Sequence, residues 1–151
     1  MERCSALLTP FFIPKKMVLC SIVLGGFNMD PIDVLTNLEK LKAYYQPIFS
    51  ADEHVVVGYE VSGKLLNGDQ LINLKAFAYD EDIPEEYRVE VQHKILHVAL
   101  SKLVKEAGKF DIYLPCNANL LMLDYGESYF DIIKEYIAEK ELTRVVVVIS
   151  E

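Results

Sequence analysis

A single carboxylate stands out among the residues whose type and position could do chemistry. Glu60 follows the largely apolar residues 55–59 of a segment typical of a β-strand, and Lys64 comes four residues later. In barrel-type α/β proteins the carboxyl ends of the strands carry the catalytic groups, because the loops that bind substrate start there. Glu60 is therefore a candidate catalytic or metal-binding residue. The alternative is a charged residue at a strand end that faces water.

Two further groups of residues could bind a metal or act as a nucleophile. His93 and His97 are four residues apart, so both imidazoles lie on one face of a helix and could meet one ion. No third ligand is evident in the sequence, and we interpret them as a helical pair. Cys116 has no histidine partner on a neighbouring predicted strand, so we interpret it as a small buried core residue. The sequence contains no glycine-rich phosphate loop of the GxxxxGK[ST] or GxGxxG type.

The composition is that of one soluble globular domain. The chain has 151 residues, of which 52% are hydrophobic and 25% are charged. Its 15 Lys and Arg against 23 Asp and Glu give a net charge of −8, which argues against binding to nucleic-acid phosphates or to an anionic membrane. The 3 cysteines have no metal-type spacing, so disulfides and zinc are not expected. A reducing compartment, the cytoplasm, is the expected location.

Residues 1–28 differ from the rest of the chain in charge and pattern. Lys15 and Lys16 precede an uncharged run over 17–27, which is shorter than the roughly 20 residues that span a bilayer. We expect residues 1–28 to be a poorly ordered leader, or upstream sequence ahead of a start at Met29. A secretory signal or anchor, or a folded element, are the alternatives. Residues 29–151 then form the predicted domain.

Hydrophobic periodicity predicts an α/β protein in residues 29–151. Asp30 and Pro31 offer a helix N-cap and first turn, and Pro84 precedes a longer helix with an acidic first turn. Pro47 restricts its strand to a sheet edge or a bulge. The predicted order is a β-hairpin followed by αβ units with right-handed crossovers. The predicted elements are a helix over 31–42, strands over 44–49 and 55–61, a weak helix near 70–79 within a loop, a long helix that stops at Gly108, a strand over 111–114, a helix that opens at Ser128 and a strand over 144–150.

Several short motifs resemble one known family. The sequences YQPIF at 45–49 and VGYEV at 57–61 resemble the opening of EAL domains, the cyclic-di-GMP phosphodiesterase family. Further similarity, to YkuI-like members above all, lies in DPID at 30–33, NLLMLD at 119–124 with GES at 126–128, and VVISE at 147–151. The resemblance covers residues 29–151 and roughly the first half of the family's domain. It implies a partial TIM-type (β/α) barrel, with an opening β-hairpin followed by αβ units and truncated before closure.

The resemblance implies roles for residues at matching positions. In the family, acidic residues and an Asn on the barrel rim hold one or two Mg²⁺ or Mn²⁺ ions, which activate the water that opens cyclic di-GMP. Glu60 matches the signature glutamate, and Ser62 replaces the signature leucine. Lys64 replaces the arginine that meets a phosphate, so the charge stays but the bidentate fork is lost. Gln46 is at the position that family members use near the bound nucleotide.

The resemblance also indicates which metal ligands are lost. The family's metal-binding Asn falls on Pro115, or on Asn117 if the alignment slips by two residues, which keeps the same face of the strand. The first glutamate of the family's E-I-T-E motif is Val148, and only the second is kept, as Glu151. The family's later metal and catalytic residues have no counterpart in this sequence. We therefore expect that Mg or Mn is not retained.

Three functions are compatible with this pattern. The first is a degenerate, catalytically silent EAL-like domain of cyclic-di-GMP signalling with weak nucleotide binding. The second is a protein–protein interaction module or remnant with no nucleotide role. The third is a phosphodiesterase that works only when the missing half-barrel comes from another chain. Self-association through an exposed edge of the strand over 144–150 is also expected.

Overall fold

The chain is described in four segments. A computed structural model describes residues 29–103, 110–122, 125–140 and 144–150. The leader predicted over 1–28 and the candidate ligand Glu151 lie outside these segments. Gly108 also lies outside them, and the long helix predicted to stop there ends earlier, at Lys102. Within them, no helix has both the length and the apolar character that crossing a membrane requires.

One mixed sheet is formed by five strands of the described residues. They are β1 (Leu41–Phe49), β2 (Val56–Asn67), β3 (Gln70–Asn73), β4 (Asp111–Asn117) and β5 (Val145–Ser150). β1 pairs antiparallel with β2, β4 runs parallel to β2, and β5 runs parallel to β4, in the order β1-β2-β4-β5. This confirms the predicted mixed α/β class. Pro47 lies on β1, the edge strand of this order, as its missing N–H requires.

One helix precedes β1, and the others lie between β3 and β4 or between β4 and β5. The helices are α1 (Pro31–Thr36), α2 (Lys75–Tyr79), α3 (Glu85–Lys102), α4 (Ala118–Leu121) and α5 (Tyr125–Lys140), with a 3₁₀ turn over Leu38–Lys40. α1 begins as predicted, because the N–H of Ile32 donates to Asp30 Oδ1 at 2.9 Å. It ends at Thr36 rather than near residue 42, since the buried Leu41 pairs with Leu65 and so belongs to β1.

β2 is longer than the sequence predicts. Its pairing with β1 continues past Glu60 as far as Leu65, and the alternation of buried and more exposed residues continues with it. The chain then turns at Gly68, whose φ of 59° is one that glycine adopts without strain, and returns as β3. The prediction of a loop with a weak helix over 70–79 is wrong for β3, and only α2 is helical there.

β3 and β4 share one edge of β2 and leave an opening between them. β1 occupies the other edge along the whole hairpin, so both must pair on the remaining side. β4 pairs with residues 58–60 and β3 with residues 64–67. In the described part of the chain, residues 61–63 have no strand partner on that side, and Gly63 O accepts from Leu74 N at 3.1 Å. The sheet is consequently open at this point.

Two clusters of buried residues hold the helices to the sheet. The first lies between α3, α5 and the central strands, and contains Val61, Leu96, Ala99, Leu100, Leu103, Ile112, Leu114, Cys116, Tyr129 and Ile133. The second joins α1, α2, the first half of α3 and the hairpin, and contains Val34, Leu38, Leu41, Leu65, Leu74, Phe77, Ile83 and Val91. Ile95 packs against both clusters, so α3 connects them.

Replacing Gly63 with alanine is expected to destabilise the fold by about 1–3 kcal/mol, because the new Cβ would overlap a side chain of α3. That atom would lie 2.5 Å from Ile95 Cδ1 and would also overlap Ile95 Cγ1. Urea denaturation of the variant and the parent measures the loss. In an Ile95→Ala background the same substitution should cost clearly less, since the overlapping atoms are gone. Equal costs in the two backgrounds would mean that this contact is not the cause.

Candidate functional site

Glu60 lies where the parallel pairing of the sheet stops. It is exposed on β2, opposite Gln46 of β1, and it is the last residue of β2 that pairs with β4, through Tyr113. The predicted strand end at this position is wrong for β2, because the strand continues to Asn67. The position is nevertheless the carboxyl end of the parallel β2–β4 pairing, so the carboxylate lies at the edge of the opening.

The strand register places the candidate site residues on one face of the sheet. Paired residues share a face, and every second residue of a strand returns to it. The residues on this face are Gln46, Glu60, Ser62, Lys64, Pro115, Asn117 and Val148. Tyr113 connects the two halves of the set, since it pairs with Glu60 on one side and precedes Pro115 by two residues. Glu151 lies outside the described residues.

A cavity of about 480 Å³ adjoins this face. Gln46, Glu60 and Lys64 line it from the exposed side of the sheet, whereas Gln92 and Leu96 of α3 line it from the helix side. Because it is lined from both sides, the cavity reaches through the opening between β3 and β4. Its volume is within the range of small-ligand pockets, roughly 300–1,000 Å³.

Lysines give the mouth of this cavity a positive charge. Lys64 Nζ lies 4.6 Å from the ring centroid of Tyr44, a cation–π contact that holds the half-buried side chain against β1. Lys75, at the start of α2, also lines the cavity, and Lys42 is directly opposite Lys64 in the hairpin. Glu60 is the one acidic residue of the described lining. The mouth therefore suits an anionic ligand.

Asn117 is a buried structural residue at the end of β4. Its Nδ2 donates to Ala78 O at 2.9 Å, and its Oδ1 accepts from Asn119 N at 2.9 Å, which caps α4. It lines the cavity, but it lies four residues beyond Tyr113, the register partner of Glu60, or about 13 Å further along the strand. Asn117 and Glu60 therefore line the same cavity, but their side chains are not adjacent.

Part of this face lacks the side-chain oxygens that a divalent cation requires. Mg²⁺ and Mn²⁺ take oxygen ligands, and Pro115 and Val148, which are register partners, offer none from their side chains. The amide of Asn117 is held by two hydrogen bonds to the backbone. Over the residues that the structure describes, no three His, Cys, Asp or Glu side chains gather closely enough to hold a metal ion.

The histidine pair of α3 lies apart from the residues that line the cavity. His93 is half-buried and His97 is exposed, with its Nδ1 3.3 Å from the hydroxyl oxygen of Tyr136. Burial, and secondarily the neighbouring His97, lower the pKa of His93. The neutral imidazole of His93 is thus favoured. The contact between His97 and Tyr136 is a packing contact between α3 and α5.

Gln92 is a buried cavity residue that was not predicted from the sequence. It is only 6% exposed, and its Nε2 donates to Cys116 Sγ at 2.9 Å. The signal for it was a polar residue at helical spacing from Leu96 and Ala99, on the apolar stripe of α3. Burial raises the pKa of the Cys116 thiol, although the hydrogen bond from Gln92 acts in the opposite direction. Cys116 is 1% exposed, which confirms it as a small buried core residue.

Comparison with known proteins identifies a relative in sequence. No family model matches the chain. Over 124 residues the chain is 45% identical to YkuI of Bacillus subtilis, described as an uncharacterised EAL-domain-containing protein. The match covers 82% of this chain and 30% of YkuI. The chain thus spans less than a third of the length of this relative.

Two solved structures are similar in fold. The crystal structure of Bacillus subtilis YkuI, with an EAL domain and in complex with substrate c-di-GMP and calcium, matches with a TM-score of 0.74 and 45% identity. That match covers 82% of this chain and 31% of the YkuI chain. An EAL domain protein from Listeria monocytogenes matches with a TM-score of 0.61 at 18% identity, over 83% of this chain and 51% of the other. At that identity the second match concerns the fold alone.

Proposed function

Since this chain belongs with the EAL-domain proteins in both sequence and fold, we propose that it is a domain of cyclic-di-GMP signalling that binds this nucleotide weakly and does not hydrolyse it. The observation that carries the proposal is the convergence of Gln46, Glu60 and Lys64 on one cavity at the opening of the sheet. The complex of YkuI with c-di-GMP supports the choice of ligand. The domain comprises residues 29–151, preceded by a leader over 1–28.

The finer architecture is the first part of a TIM-type barrel. An antiparallel hairpin is followed by two parallel strands, with α3 and α5 packed on one face and Glu60 on the other. In such barrels the inner face and the carboxyl ends of the strands carry the site. The arrangement of the cavity residues agrees with that rule.

Weak binding follows from the charged groups at the mouth of the cavity. Cyclic di-GMP carries two phosphodiester anions, and the ammonium groups of Lys64 and Lys75 are the cations of the described lining. An ammonium attracts a phosphate as a point charge but lacks the two parallel N–H donors of a guanidinium. The carboxylate of Glu60 in the same cavity repels the phosphates. We therefore expect a modest affinity.

Catalytic silence follows from the chemistry of Pro115 and Val148. Both lie on the face of Glu60, and neither has a side-chain oxygen to offer a cation. A divalent ion held by one carboxylate and water would be bound loosely, and hydrolysis of a phosphodiester needs the attacking water held in place. We accordingly propose that this chain does not retain Mg²⁺ or Mn²⁺.

The direct test is binding of cyclic di-GMP to the purified chain. We expect equilibrium dialysis to detect binding, and Lys64→Glu to weaken it at least tenfold, because a charge-assisted contact becomes a repulsion. Lys134→Glu is the matched control, since Lys134 is 74% exposed on α5 and its ammonium pairs with Asp131. It makes the same change of net charge on an element that does not line the cavity.

Two results would contradict this function. If the parent chain shows no binding at any accessible concentration, cyclic di-GMP is not its ligand. Equal weakening by Lys64→Glu and Lys134→Glu would mean that overall charge, and not the cavity, governs the affinity.

A second role, self-association through β5, is favoured by the outer edge of the sheet. β5 ends the strand order, and its outer edge has no partner strand within the described residues. Val148 and Ile149 on this strand are 40% and 60% exposed. An apolar strand with an unpaired edge recruits another chain. We propose that the recruited chain is a second copy of this protein. The protein would then act as a protein–protein interaction module.

Light scattering is expected to find a dimer or a larger species in the purified protein. Ile149→Lys should shift the population towards monomer, because a charge on the edge strand opposes strand pairing. Ile32→Lys on α1 is the matched control, since Ile32 is 61% exposed but lies outside the sheet. A parent that stays monomeric at high concentration would exclude this role.

A further inference from the structure

The side chain of Gln92 carries a buried acceptor that the fold leaves unused. Gln92 lies on the second turn of α3 and is 6% exposed. Its Nε2 donates to Cys116 Sγ at 2.9 Å, while its Oε1 has no hydrogen-bond partner among the residues that the structure describes. A buried carbonyl oxygen without a hydrogen-bond donor is energetically unfavourable. Such an atom is expected to have a donor in the working protein.

The hydrogen bond of Gln92 sets the direction of its amide group. Its Nε2 donates to Cys116 Sγ, so the nitrogen end of the amide faces the buried thiol of β4. Gln92 also lines the cavity. The oxygen is thus the end of the amide that remains for a group inside the cavity.

The two ends of the cavity differ in chemistry. Lys64 contributes its ammonium group on the exposed face of the sheet, whereas the apolar lining residues Ile95, Leu96 and Leu114 lie on the helix side with Gln92. A ligand that matches both ends has an anionic part outside and a flat, largely apolar part inside that carries an N–H donor. A nucleotide with an amino-substituted purine base has these properties.

We propose that Gln92 is a specificity-determining residue, whose Oε1 accepts a hydrogen bond from the exocyclic amino group of a purine base that enters the cavity through the opening between β3 and β4. The inference rests on the proposed nucleotide-binding function, and it goes beyond it by assigning the base to the helix side of the sheet. The phosphates remain at Lys64 on the exposed side.

The experiment compares two ligands that differ by one amino group on each of their two bases. Cyclic di-GMP and its hypoxanthine analogue, cyclic di-IMP, are titrated against the parent chain and against Gln92→Met, which keeps the length of the side chain and removes the acceptor. We expect the parent to prefer cyclic di-GMP about tenfold, since its acceptor stays unpaired with the analogue. The variant should bind the two ligands with equal affinity.

The outcomes distinguish failure of the nucleotide-binding function from failure of the role of Gln92. A parent that binds neither ligand contradicts the nucleotide function, and the role of Gln92 with it. A parent that binds both ligands equally leaves the function standing and overturns the role of Gln92, in favour of a buried water on Oε1. This comparison needs no variant, so it holds even if Gln92→Met fails to fold. A preference that persists in a folded Gln92→Met variant also overturns the role.

Discussion

Truncation of Phe77 to alanine is expected to lower the free energy of unfolding by about 3–5 kcal/mol, the largest loss that we predict for one side chain. Phe77 is fully buried in the second core cluster, between α1, α3 and the end of the hairpin. It is also the buried residue of α2, a helix of 5 residues that is too short to persist without packing. The cavity left behind would therefore unfold α2 as well as weaken the core.

Urea denaturation of Phe77→Ala against the parent measures this loss, and Phe130→Ala is the control. Phe130 lies on α5 and is 43% exposed, so the same truncation should cost much less there. Since α2 also offers Ala78 O to the amide of Asn117, the variant should in addition bind cyclic di-GMP more weakly. Similar losses for the two phenylalanines would contradict the role given to the second cluster.

No conversion of cyclic di-GMP to its linear form is expected from the purified chain with either Mg²⁺ or Mn²⁺ supplied. The carboxylate of Glu60 has Pro115 and Val148 on its face of the sheet, where a metal-dependent hydrolase needs oxygen ligands. Misplacement of a reacting group by even 1 Å costs on the order of 100-fold in rate. Chromatographic separation of the cyclic and linear dinucleotides measures the conversion directly.

The decisive control is Glu60→Ala, which should behave as the parent does in the same assay. An active phosphodiesterase of the family, assayed alongside, establishes that the conditions support hydrolysis. Turnover by the parent chain that disappears in Glu60→Ala would refute catalytic silence and restore the enzyme hypothesis. Turnover that persists in the variant would instead indicate a contaminating activity.

The elements with strong local signals could be predicted from the sequence. Asp30 caps α1 as expected, and the valine-rich strand is β5, within one residue of its predicted bounds. The extension of β2 was missed because the residues after the predicted strand over 55–61 were interpreted as a loop. A glycine is required at position 63 of this extension, since a Cβ there would overlap the side chain of Ile95. Such a close approach depends on tertiary packing and leaves no local pattern.

The candidate site was only partly predictable for the same reason. Glu60 could be found because a carboxylate on an apolar strand is conspicuous and because the surrounding motif resembles EAL domains. Gln92 could not be assigned, since its partner Cys116 is distant in sequence and its access to the cavity depends on the opening in the sheet. That opening exists because β3 and β4 pair with different parts of β2, and β3 was not predicted.

The order of the strands along the chain also sets the sequence of events by which the sheet forms. β1 and β2 are neighbours joined by a short turn, so their hairpin can close within about 1–10 μs. β2 can meet β4 only after all of α3 has been made, and β5 follows only after α5, so these later closures carry a larger loop entropy. During synthesis the hairpin can therefore place Glu60 opposite Gln46 before β4 and β5 are able to join the sheet. A nascent chain is most exposed to misassembly, and most in need of a chaperone, during that interval.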